Sequence, residues 1–199
     1  MPDRALVVVA VDAEREAVLR GAPDAQVIVA GIGPVAAATT TGTALHENEY
    51  DVVYNLGIAG AFDSAMQILV GTHAIAADLG VETQQGIVVL DSIVSSLAAD
   101  DAVLDAAKAA LPQADIGELL TVWTVTGTAE TAARLRALHP QAVGEAMEGF
   151  GVASAAAQAG VRFLEVRTVS NVIGPRDRDA WDINGALKRL TDVAEALLT

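Results

Sequence analysis

Residues 6–11, Leu-Val-Val-Val-Ala-Val, form an unbroken apolar run rich in β-branched side chains. A strand with one wet face alternates apolar and polar residues; a strand without alternation has to be covered on both faces. That points to a mostly parallel sheet with helices on each side. The rest of the chain repeats the theme. Gln26–Ala30, Asp51–Leu56, Thr72–Ala77, Gly86–Leu90, Leu119–Val125, Gln141–Ala146 and Phe163–Val169 read as strands. Between and after them, helices are expected at about Glu14–Arg20, Val35–Glu47, Ala102–Ala110, Thr126–Leu138, Gly149–Ala159 and Ile183–Leu198. Pro34 suits a first helical turn, where its missing N–H has no partner to lose. Alternation of this kind predicts an α/β fold in one domain, residues 1–199.

Charge narrows the partners. With 12 basic and 26 acidic residues the net charge is −14, which disfavours nucleic acid and anionic membranes. There is no cysteine, and His46, His73 and His139 lack metal-ligand spacing, so neither disulfide nor metal is expected. The first apolar run is too short to span a bilayer and meets Asp12 and Glu14 at once, so a cytoplasmic protein without a membrane partner is expected.

The most informative stretch is Gly144–Trp181. It places Met147-Glu148 where a strand gives way to a helix, and Ser170-Asn171 at the end of the next strand. A carboxylate at a helix start is favoured by the free N–H groups there. In open α/β sheets, ligands bind at the C-terminal ends of the strands. Both loops therefore face one pocket.

With this pair of loops, and with Glu14, Gly31-Ile32-Gly33, Asn55–Phe62 and Thr126–Glu130 in order before them, nearly the whole chain resembles the purine nucleoside phosphorylase/hydrolase superfamily. Within it, Ser170-Asn171, Gly174–Arg178 and Trp181 are most similar to the futalosine hydrolases, a branch serving a menaquinone route. The resemblance implies a three-layer fold with a central mixed, mostly parallel sheet flanked by helices, a small nucleoside substrate, no cofactor and a homo-oligomer. It implies that Glu14 activates water, that Met147 and Glu148 hold the ribose, and that Asn171 reads the purine beside Ser170. It further implies that Gly60, Phe62 and Thr126-Gly127-Thr128 line the base site.

Chemistry supports these roles. Cleaving an N-ribosidic bond leaves positive charge on the sugar and negative charge on the departing base, so a site must hold the sugar, position a nucleophile and stabilise an anion. Glu14 can take a proton from water. Glu148 can accept from two adjacent hydroxyls, and Met147 suits the apolar face of the sugar. Asn171 cannot serve as an acid, but its NH₂ can donate to N7 or to a 6-oxo group, which favours hypoxanthine over adenine. Phe62, Trp123, Phe150 and Trp181 are candidates for stacking or for core packing. Arg176 and Arg178 are open to two readings: a self-paired surface loop with Asp177 and Asp179, or a grip on a substrate carboxylate. Because no Lys or Arg occurs between Arg20 and Lys108, the early glycine-rich turns lack a nearby cation for phosphate, which favours water as the nucleophile. The competing readings are a methylthioadenosine, S-adenosylhomocysteine or aminodeoxyfutalosine nucleosidase, a 6-oxopurine phosphorylase, and a purine-binding protein without activity.

Overall fold

A computed structural model describes residues 4–83 and 86–199. Its centre is a mixed sheet built from β1 (Ala5–Val9), β2 (Gln26–Val29), β3 (Val52–Ala61), β4 (Ile68–Ala76), and, beyond the separate hairpin β5 (Val81–Thr83) and β6 (Gly86–Val88), from β7 (Ser96–Ala98), β8 (Asp115–Thr121), β9 (Ala142–Ala146) and β10 (Arg162–Val172). The helices are α1 (Asp12–Gly21), α2 (Pro34–Glu47), α3 (Asp101–Ala110), α4 (Ala129–Leu138), α5 (Gly149–Ala159) and α6 (Ile183–Leu198).

β1 behaves as its composition requires. Val7 and Val9 face a cluster with α1, α3 and α6, whereas Leu6 and Val8 face another with α2 and α5. Each fully buried Val or Leu contributes about 1.5–3 kcal/mol relative to exposure. α6 shows the matching helical spacing, with Ala186, Leu190, Val193 and Ala194 buried along one stripe. No helix among the described residues is long and apolar enough to cross a membrane.

Several strands depart from expectation: β4 starts at Ile68, ahead of Thr72, β6 ends at Val88, β10 runs on to Val172, and β5 and β7 are additional. β3 continues through Gly57–Ala61, which reads as a glycine-rich loop in sequence. One edge of β3 pairs with β1 as far as Asn55 and then with β9 at Gly60 and Ala61, while its other edge pairs with β10 throughout. Glycine is tolerated there because β9 and β10 approach closely: a Cβ on Gly60 would meet Asn171 Nδ2 at 3.1 Å. β8 likewise starts at Asp115 and stops at Thr121, earlier than Leu119–Val125, because its parallel partners β4 and β9 both end there.

β10 also pairs antiparallel with β4, and β4 continues to β8 and β9. The pairings β3–β10–β4–β8–β9 therefore return to β3 and close a ring, filled by Leu69, Leu119, Val143 and Val169. β1 and β2 extend outward from β3. The exchange of β1 for β9 along β3 leaves a crevice, the kind of place where ligands bind in α/β sheets.

Candidate active site

The crevice holds a cavity of about 260 Å³ lined from separate segments by Glu14, Gly60, Met147, Glu148, Ser170, Asn171 and Trp181, together with Glu145. A larger cleft of about 620 Å³ lies at the opposite end of β1, by Arg4, Pro23 and Leu198, but brings together no comparable set of acids.

Glu14 sits in the first turn of α1 and folds back over the chain. Its Oε2 accepts from the Ala10 and Val11 N–H groups at 2.8 and 3.2 Å, and its Oε1 from the Ile58 N–H at 2.9 Å. Burial raises its pKa, and Glu148 adds to that; the Arg167 charge and the backbone donors to it oppose the rise without cancelling it. A carboxyl group so placed titrates closer to neutrality than a free glutamate, which suits a proton acceptor.

Glu148 precedes α5, yet its side chain does not cap that helix. It reaches Gly33 instead, accepting from that N–H at 3.2 Å. Gly33 has φ +95°, a left-handed conformation that aims its amide at the carboxylate and that favours glycine. Glu148 Oε2 also lies 3.3 Å from Arg167 Nη2.

Arg167 is among the residues that sequence reading missed, with Glu145 and Glu165. It lies in the middle of β10, only 1% exposed. Its Nε donates to Glu165 Oε1 at 2.9 Å and its Nη2 to Asn55 Oδ1 at 2.6 Å. Burial works against its charge, but Glu165, Glu148 and Glu14 more than offset that and hold its pKa above the ordinary value. Burial pushes Glu165 upward in spite of the arginine. Gly57 makes the arrangement possible, because a Cβ there would lie 2.6 Å from both Arg167 Nη1 and Glu14 Oε1. A signal was present: Glu165 and Arg167 are two apart in an otherwise apolar strand, so they share a face, and buried opposite charges pair.

At the other end of the cavity, Ser170 and Asn171 lie inside the final residues of β10, at an irregularity in its pairing with β3, and not beyond the strand. The Ser170 hydroxyl is 2.9 Å from Asn171 Oδ1 and 3.1 Å from the Ala59 carbonyl. With Oδ1 facing that hydroxyl, the amide NH₂ is the free end; it donates to the Val172 carbonyl at 3.2 Å and keeps a second hydrogen for a ligand.

Other residues singled out in sequence do not join the lining. Phe62 packs beside the cluster around Leu120, under the Arg136 guanidinium. Thr126 is buried against Glu145, donating its N–H and hydroxyl to that carboxylate at 2.8 and 2.6 Å. Gly127 accepts from the Arg176 N–H, and Thr128 caps α4. Trp123 is exposed, and Phe150 donates its N–H to Thr121. Arg178 opens a short 3-10 turn, Arg178–Ala180, capped by Asp177. The Arg176 guanidinium stands 5.5 Å from the ring centroid of Trp181, which does line the cavity.

The chain is similar to known proteins along most of its length. It is 44% identical to a futalosine hydrolase of Streptomyces coelicolor, covering 96% of this chain and 94% of the relative. It is 41% identical to a futalosine hydrolase of Acidothermus cellulolyticus, covering 99% and 91%. Its fold matches the solved structure of a futalosine hydrolase mutant of Helicobacter pylori with a TM-score of 0.87, over 98% of each chain at 15% identity. The family model described as the phosphorylase superfamily matches residues 18–199, and the chain belongs to that family.

Proposed function

We propose that this protein is a nucleoside hydrolase that splits futalosine into hypoxanthine and dehypoxanthinyl futalosine, a step on a route to menaquinone. The observation that carries the reading is the convergence of Glu14, Glu148 and the free NH₂ of Asn171 on one cavity. The identity of 41–44% to two futalosine hydrolases over nearly the full length supports the same substrate.

In this reading Glu148, held by Gly33 and Arg167, accepts from the ribose hydroxyls, and Met147 packs on the sugar. Glu14 takes a proton from water as its oxygen bonds to the anomeric carbon. The bond to N9 breaks, its electron pair leaves on the base, and Asn171 donates to N7 or O6 of the departing anion. That base takes its proton from solvent, because an amide has none to give near neutral pH.

Phosphorolysis is disfavoured by the state of Arg167. It reaches the site from β10, but it is engaged by Glu165, Asn55 and Glu148, with Glu14 close by. A phosphate there would face three carboxylates and one committed cation. The three-layer, mostly parallel plan belongs to the same reading and is supported by helices on both faces and five parallel pairings in the main sheet, β1–β2, β1–β3, β3–β10, β4–β8 and β8–β9. So does a homo-oligomer. Its support is a set of exposed apolar side chains, Ile32 at 63% in the cavity lining and Val35 at 61% and Trp123 at 59% within three residues of lining positions in sequence.

The test is base release from futalosine, aminodeoxyfutalosine, inosine and methylthioadenosine, each with and without phosphate, followed by chromatography. Hypoxanthine from futalosine at a rate indifferent to phosphate is expected. Adenine release at comparable efficiency would move the enzyme to the adenosine-type nucleosidases, and dependence on phosphate would make it a phosphorylase.

A further inference from the structure

Three carboxylates surround Arg167, and the chemistry proposed above employs Glu14 and Glu148 but leaves Glu165 idle. The place of Glu165 follows from strand register. It stands opposite Asn55 across the β10–β3 pairing, and Arg167 stands opposite Gly57. Residues two apart on a strand share a face, so Glu165 and Arg167 project together, and the missing Cβ of Gly57 opens the space that the guanidinium occupies. Glu165 is only 1% exposed.

The guanidinium is gripped at two points of one plane. Glu165 Oε1 accepts from Nε at 2.9 Å, and Asn55 Oδ1 accepts from Nη2 at 2.6 Å. A planar fork held at both points is not free to turn, and its Nη2 also lies 3.3 Å from Glu148 Oε2. With the Nε contact gone, Asn55 alone would hold the group, and the plane would be free to swing about that single bond. The second oxygen of Glu165 has no hydrogen-bond partner among the described residues and lies against Gly149, where any Cβ would collide with it. A buried oxygen left unpaired is costly, and Phe163, Leu164 and Val166 show that neighbouring positions of β10 are filled by apolar side chains. A carboxylate kept in spite of that cost, with one oxygen on Nε, is accounted for by what it does to Arg167.

We propose that Glu165 is a positioning residue: by accepting from Arg167 Nε it fixes the guanidinium plane that orients Glu148 toward the ribose hydroxyls. The proposal rests on the reading that Glu148 holds the ribose. Glu165 itself touches no substrate atom and neither gains nor loses a proton in the reaction. What it supplies is an acceptor at the Oε1 position. Loosening that contact therefore weakens the part of binding that Glu148 provides, the hydroxyl contacts, and not the recognition of the base.

The test compares kcat/KM for futalosine and 2′-deoxyfutalosine in the wild type, Glu165→Gln, Glu165→Asp and Glu148→Gln. The intrinsic difference in lability between the two glycosidic bonds cancels when this ratio is compared between variants. Glu165→Gln keeps an acceptor oxygen at the same reach and is expected to keep the wild-type ratio. Glu165→Asp keeps the charge but falls one methylene short of Nε. It is expected to lower kcat/KM for futalosine at least about tenfold, chiefly through KM, and to affect 2′-deoxyfutalosine less, since that substrate lacks one of the two hydroxyls. Should Glu165→Asp fail to fold, Glu165→Leu, which buries no unpaired carboxylate, is expected to narrow the ratio in the same way. Equal losses on both substrates in Glu165→Asp or Glu165→Leu would overturn the proposal and leave Glu165 as a counter-charge for Arg167. A ratio narrowed in Glu165→Gln as far as in Glu165→Asp would overturn it too, because the acceptor would then not be what matters. A ratio left unchanged by Glu148→Gln would instead overturn the ribose reading of Glu148 itself.

Discussion

Arg167 holds Glu148 from below: its Nη2 stands 3.3 Å from Glu148 Oε2 while the same nitrogen donates to Asn55 at 2.6 Å. The carboxylate assigned to the ribose is thus fixed by a cation from β10 and by the Gly33 amide from the loop before α2.

Replacing Arg167 by leucine would leave Glu165 and Glu148 buried without a counter-charge. Loss of one member of a buried ion pair costs about 3–5 kcal/mol, and urea denaturation should show a drop of that size. Arg167→Lys keeps the charge but not the planar fork that serves Glu165, Asn55 and Glu148 together. It is expected to stay folded and to raise KM more than it lowers kcat, because Glu148 is no longer oriented.

The parts of this site differ in how plainly they stand in the sequence. The α5 and α6 boundaries are legible because Gly160, in left-handed geometry, stops one and Asp182 caps the other. Glu14 and Glu148 are legible because each follows a strand run at the start of a helix, and Asn171 because it stands near the end of an apolar strand run. The closed ring is not, because it depends on β10 pairing at once with β3 and β4, and no local pattern specifies two partners. Gly57–Ala61 reads as a loop for the same reason: glycine is usually a breaker, and only the close approach of β9 and β10 makes it a strand. Glu145 and Arg167 are hidden inside strands, where a charge has meaning only once its partner is known.

Glu14 should give the reaction an acid limb. It acts as a base only when ionised, and burial raises its pKa, so kcat/KM is expected to fall with decreasing pH at values above the ordinary glutamate range of about 4.3. Glu14→Gln should remove that limb and lower kcat at least about 100-fold. An unchanged limb in Glu14→Gln would assign the titration to another group.

Stability should run the other way. Burial raises the folded-state pKa of Glu14, Glu145 and Glu165. Between the unfolded and folded pKa values the native chain binds more protons than the unfolded one. The stabilisation is complete below the unfolded value and is lost as pH rises through the folded values. The net charge of −14 acts in the same direction, since repulsion grows as carboxyl groups ionise. Tm is therefore expected to be higher near about pH 5.5 than near about pH 8, with a shallower dependence in Glu145→Gln. Because activity falls where stability rises, loss of rate at mildly acid pH would report titration and not unfolding.

The last prediction concerns the part of the substrate beyond the ribose. Trp181 lines the cavity and carries the Arg176 guanidinium 5.5 Å from its ring centroid, while the Arg176 N–H is tied to the Gly127 carbonyl. The contact orients a cation beside the mouth without consuming its N–H donors, since a ring face attracts the charge and leaves the edge of the guanidinium free. Futalosine has a carboxylate on its aryl arm and inosine has none. If that carboxylate meets the guanidinium, Arg176→Gln raises KM for futalosine by about tenfold, the usual worth of one charge-assisted bond, and leaves inosine cleavage unchanged. Arg178, in the turn capped by Asp177, is expected to contribute less. Trp181→Leu should reproduce part of the Arg176 effect by freeing the side chain. Equal losses on futalosine and inosine would mean that the loop serves the fold and not the arm.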